Sequence, residues 1–146
     1  MPNTRYLLIA GGVITALMSL LHVVLALKPE LFRSFGPGEG STLAQGAAEG
    51  SKGTTIATVV LALIFALWAA YAFSGARLIG ALPLLRAGLI AIGVIYIIRS
   101  LFVVSEIEMV LSIGYPFRFV VFSTISLVAG LLYLIGGLAL RQQGGQ

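Results

Sequence analysis

Four stretches of about twenty apolar residues dominate this chain: Tyr6 to Leu27, Thr54 to Phe73, Leu84 to Val103 or Ser105, and Phe119 to Leu140. Twenty residues at about 1.5 Å each give about 30 Å of helix, the thickness of a bilayer's hydrocarbon core. Buried helices of soluble proteins keep a polar stripe, whereas these runs are apolar all round. The pattern predicts an all-α fold, a polytopic membrane protein built as a four-transmembrane-helix bundle. It forms a single membrane domain over residues 1–146, with helices at about 6–27, 54–73, 84–105 and 119–140.

The composition agrees. Of 146 residues, 59% are hydrophobic and only 10% charged, against about 25% charged in an ordinary soluble domain. The mean hydropathy is +1.07. These values exclude a soluble enzyme, a disordered tail and a disulfide-stapled module. With no cysteine, thiolate metal sites, iron–sulfur clusters and redox pairs are excluded too. The nine Lys and Arg are scattered singly at the ends of apolar runs, the usual companions of a bilayer, so no nucleic-acid partner is expected. Arg5 before the first run, with Val24 and Ala26 near its end, has some signal-peptide character; the length of the run predicts a retained helix.

An even number of spans places both termini on one side, called side A, with Arg5, Arg77, Arg86 and Arg141. Side B has Lys28, Arg33, Lys52, Arg99 and Arg118, together with all five glutamates, Glu30, Glu39, Glu49, Glu106 and Glu108. The long connection 28–53 is rich in glycine (Gly36, Gly38, Gly40, Gly46, Gly50 and Gly53) and reads as a flexible loop. Its first part reads either as an interfacial turn, with Leu31, Phe32 and Phe35 in the headgroups and Glu30 and Arg33 in water, or as a plain linker at the membrane surface. Residues 105–118 predict a short side-B connection, and Trp68, Tyr71 and Tyr6 an aromatic belt.

Small residues must supply much of the packing between helices in lipid. Gly11, Thr15 and Ser19 recur every four residues on the first helix, as do Ser126 and Gly130 on the fourth; Gly88, Ala87 and Ala91 serve the third.

Polar residues at membrane depth are costly and point to function. His22 lies about 7–8 Å inside the side-B end of the first helix, either satisfied by a carbonyl, hydroxyl or water or serving as a ligand or proton carrier. Arg99 lies at a similar depth in the third, either snorkelling to the headgroups or turning inward to an anion or a glutamate. Tyr96, Arg99, Val103 and Glu106 are spaced by three, four and three, along one helical face. Arg99 and Glu106 are about 10 Å apart along that axis, so their pairing needs a bent helix end or a bridging water. Ser123, Thr124 and Ser126 on the fourth helix and Thr54, Thr55 and Thr58 on the second complete a polar side-B half. They either line a vestibule or bond their own backbones. The candidate ligand-binding residues are His22, Tyr96, Arg99, Glu106 and Ser123. No catalytic or metal-ligating residue and no cofactor is expected; bis-histidine haem needs two imidazoles, and His22 is the sole histidine.

The stretch from Gly11 to Gly36, GGVITALMSLLHVVLALKPELFRSFG, and Arg99 in YIIRSLF resemble segments of small bacterial four-helix membrane proteins of the DoxX-like kind. The resemblance implies an accessory subunit of the bacterial inner membrane near quinone or thiol redox chemistry, and the absence of cysteine argues against a thiol role. The expected function is therefore a non-enzymatic bundle in the lipid bilayer, with both termini cytoplasmic. It binds a lipid or quinone-like ligand, a membrane protein partner or a second copy of itself. Transport of a small hydrophobic solute is the alternative, and acid–base chemistry by His22 with Glu106 or Glu108 the third reading.

Overall fold

A computed structural model describes residues 2–35 and 42–140. Among these the secondary structure is helical, with no strand: α1 (Pro2–Leu27), a 3-10 turn (Pro29–Leu31), α2 (Phe32–Phe35), α3 (Thr42–Ala48), α4 (Lys52–Gly75), α5 (Leu85–Ser100), α6 (Val103–Ile113) and α7 (Arg118–Ala139). Four helical stretches, Asn3–Leu27, Lys52–Gly75, Leu85–Ile113 and Arg118–Ala139, are long and apolar enough to cross a membrane. The chain is an all-α, multi-pass membrane protein.

The helices run past the apolar limits read from the sequence, because hydropathy marks where lipid begins and not where hydrogen bonding stops. The clearest case is the expected side-B connection 105–118, most of which is helix. Glu106 and Glu108 end the apolar run, but glutamate is a good helix former, and α6 continues until Gly114, whose φ of 68° supplies the left-handed stop. At about 1.5 Å per residue, the 29 residues Leu85–Ile113 reach about 43 Å, too long to stand upright in a core of about 30 Å. A tightened turn separates α5 from α6. The Ser100 hydroxyl takes the Ile97 carbonyl at 2.6 Å, and the Leu101 amide falls back to Ile98 at 3.2 Å.

The packing resolves into two compact units, Met1–Thr15 with Trp68–Gln146, and Ala16–Leu67. The first contains the N-terminal half of α1, the C-terminal part of α4, and α5 to α7. Its tightest crossing is α5 on α7. A Cβ placed on Gly93 would lie 2.8 Å from the Leu134 backbone nitrogen, and one on Gly130 3.0 Å from the Gly93 carbonyl oxygen. Leu8 and Leu89 fill the space beside Gly75, Gly136 and Gly137, and both are fully buried.

The second unit corrects the reading of 28–53 as a loop: its described residues carry the 3-10 turn, α2 and α3. Phe32 does not dip into headgroups. It is buried with Leu25 and Ala47, flanked by Leu21 and Leu31, because the chain turns at Pro29 and brings α3 back against the end of α1. Phe35 is exposed. Gly36, Gly38, Glu39, Gly40 and Arg141 lie outside the described residues. In this unit Ser19, from the small-residue stripe, donates to the Ala62 carbonyl at 2.7 Å and ties α1 to α4.

Candidate functional site

The candidate site lies where α5 passes into α6 alongside α7. Arg99 occupies the last turn of α5 and Glu106 the first turn of α6. Each complements the partial charge of its helix end, a cation by free carbonyls and an anion by free amides. Arg99 Nη1 donates to Ser123 Oγ on α7 at 2.8 Å and stands 3.6 Å from Glu106 Oε1. The expected obstacle to this pair was the rise of two full turns between the residues. The tightened turn at Ser100–Leu101 and the long arginine stem overcome it, and the contact is direct.

The partners differ in burial. The Arg99 side chain is 42% exposed and the Glu106 side chain 9%, while Ser123 is fully covered. Glu106 Oε2 is buried without a hydrogen-bond partner. A charge-assisted N–H···O bond measures about 2.7–2.9 Å, so at 3.6 Å the carboxylate is only loosely held. The Arg99 guanidinium is also 5.9 Å from the Phe102 ring centroid, which borders it on the tightened turn. Nearby in sequence, Arg118 lies over Phe119 at 5.0 Å, and Phe119 stacks on Tyr115 at 4.7 Å.

Tyr96, grouped with Arg99 by spacing, is drawn elsewhere. It is buried, and its hydroxyl lies 3.1 Å from Thr15 Oγ1. The Tyr133 hydroxyl lies 3.1 Å from the same Thr15 oxygen and donates its one hydrogen to the Trp68 carbonyl at 2.9 Å. Trp68 meets Tyr96 edge-on, with centroids 5.2 Å apart. Trp68 is half-buried, and Tyr6 is exposed. Tyr133 carries no signal in its own surroundings; its role depends on Thr15, far away in the chain.

His22 belongs to the other unit. Its Nδ1 lies 2.8 Å from the Met18 carbonyl one turn earlier, so Nδ1 carries the hydrogen in the neutral ring and Nε2 is left as the acceptor. The ring packs on Phe65 with centroids 5.0 Å apart. The hydroxyls of Thr55 and Thr58 bond carbonyls of Ser51 and Thr54, and those of Thr124 and Ser126 bond Val120 and Phe122. These four serve their own helices, the second of the two alternatives for the side-B hydroxyls. Ser123 alone among the α7 hydroxyls near that end holds a side chain of another helix.

Among the described residues no group of three or more metal-ligating side chains converges. The fold and this rim cluster define a polytopic membrane protein with a paired arginine and glutamate at the helix ends. No protein-family model, curated protein or solved structure matches the chain.

Proposed function

We propose that the protein is a non-enzymatic membrane bundle that holds a lipid-like ligand at the Arg99–Ser123–Glu106 cluster. The observation carrying this reading is the posture of Arg99. Ser123 and Glu106 both engage Nη1, and the guanidinium keeps further donors on a side chain that is 42% exposed. An arginine that only snorkelled to the headgroups would not be fastened to a buried serine of a neighbouring helix. A fixed, part-exposed guanidinium at the membrane rim suits an oxygen acceptor, either the phosphate of a lipid headgroup or a quinone carbonyl. The proposal includes a DoxX-like accessory role in a bacterial inner membrane, with both termini cytoplasmic.

Purification in mild detergent, followed by mass spectrometry of everything that stays bound, tests this. The wild-type protein should retain a lipid or quinone that Arg99→Gln loses while remaining folded. Equal retention by both proteins would remove Arg99 from ligand binding. Arg99-dependent solute flux in proteoliposomes would replace this reading with transport.

A further inference from the structure

We infer that the Arg99–Glu106 pair selects a headgroup carrying both a phosphate and a primary ammonium, as phosphatidylethanolamine does. This rests on the lipid-binding reading above and adds the identity of the headgroup.

Glu106 is the unusual member of the cluster. It is 7% exposed, and a carboxylate so placed normally accepts several hydrogen bonds. Here Oε2 has no partner, and Oε1 is 3.6 Å from a guanidinium nitrogen that already donates to Ser123. Leaving a buried charged acceptor unsatisfied is expensive, so the cluster lacks a donor, preferably a cationic one. A purely anionic ligand makes this worse, since it competes for Arg99 and brings a second negative charge beside the carboxylate.

A phosphoethanolamine headgroup supplies both missing parts. Its phosphate oxygens accept from the remaining donors of the part-exposed Arg99 side chain, and its ammonium, two carbons away, offers three N–H donors to the Glu106 carboxylate, whose covered Oε2 turns toward it on binding. The site is neutral as a pair and so is the headgroup, so binding adds no net charge. A choline headgroup carries the same charges, but its methylated nitrogen has no hydrogen to donate. A glycerol headgroup offers hydroxyls, which donate more weakly than an ammonium, and leaves its phosphate charge uncompensated.

The test compares retention of phosphatidylethanolamine, phosphatidylcholine and phosphatidylglycerol with identical acyl chains by the full-length protein, read by native mass spectrometry. Phosphatidylethanolamine should be retained about tenfold better than either of the others, the value of one charge-assisted hydrogen bond. Glu106→Gln should bring the three to within about twofold of one another by removing the charge that strengthens that bond, and Arg99→Gln should weaken all three. Equal retention of the ethanolamine and choline lipids by the wild type overturns the headgroup selection and needs no variant. So does full ethanolamine preference in Glu106→Gln. If Arg99→Gln still reduces retention in either case, the lipid-binding reading survives. Lipid retention that is independent of Arg99 overturns both.

Discussion

Tyr133 and Thr15, 118 residues apart in the chain, share a hydrogen bond of 3.1 Å between two fully buried side chains. The same Tyr133 hydroxyl reaches the Trp68 carbonyl, so one phenol links α1, α4 and α7. Removing it takes a donor from the Trp68 carbonyl and one of two hydroxyl partners from Thr15 in an apolar interior. Tyr133→Phe should cost about 1 kcal/mol, seen as a lower unfolding midpoint in detergent. In a double-mutant cycle with Thr15→Val, the coupling should be about 0.6 kcal/mol, the usual size for a hydrogen bond between membrane helices. Strict additivity would show that the two hydroxyls do not interact.

At the α5–α7 crossing, the limit is backbone against backbone. A methyl group on Gly93 meets the Leu134 amide, and one on Gly130 meets the Gly93 carbonyl; neither neighbour can rotate away as a side chain would. Gly93→Ala and Gly130→Ala should each destabilise by about 2 kcal/mol, as overpacking does. Gly80→Ala is the matched control, because nothing lies within 4 Å of a Cβ there. Thermal unfolding should separate the first two from the third.

The ion pair at the rim is asymmetric. The Arg99 side chain is part exposed and the Glu106 side chain is covered. Arg99→Gln strands a buried carboxylate and should cost about 2 kcal/mol, below the range for a fully buried pair because Arg99 is part exposed. Glu106→Gln removes the stranded charge and should change stability by less than about 0.5 kcal/mol. Equal losses for the two single variants, measured by chemical unfolding in micelles, would contradict this order.

Arg77, two residues past the end of α4, has φ at 59°, in the left-handed region where a Cβ is strained. It is held there by a capping pattern in which Leu78 N–H donates to the Phe73 carbonyl at 2.9 Å and Arg77 N–H to the Ser74 carbonyl at 3.0 Å. The Ser74 hydroxyl then bonds Gly80 and Leu82 across the turn. Glycine fits this geometry without strain, so Arg77→Gly should raise stability by about 1 kcal/mol. Arg77→Ala, which keeps the Cβ, should give no such gain. The comparison is a pair of melting curves.

The number of membrane crossings and the helical class are legible in the residues themselves, because each apolar side chain is matched to its solvent locally. The same holds for the Arg99 and Glu106 face, since both lie on one stretch of helix and their spacing is a matter of rise and turn. The spacing that grouped Tyr96 with Arg99 fails for a physical reason. Neighbours on one helical face share a direction, but their partners are chosen by whichever helix packs there, and Tyr96 meets Thr15 while Arg99 meets Ser123. Phe32 fails similarly, its aromatic ring fitting a headgroup layer or a protein core until α3 folds back and covers it. Tyr133 and Gly93 drew no attention in the sequence because a lone tyrosine and a lone glycine acquire meaning only from a facing surface. The sequence by itself determined that the chain enters lipid as helices, since burial in hydrocarbon requires every backbone hydrogen bond to be closed within the segment. The tertiary structure decided which polar side chains are satisfied and which, like Glu106, are left with an oxygen open, because hydrogen-bond partners depend on ångström-scale contacts between residues far apart in the chain.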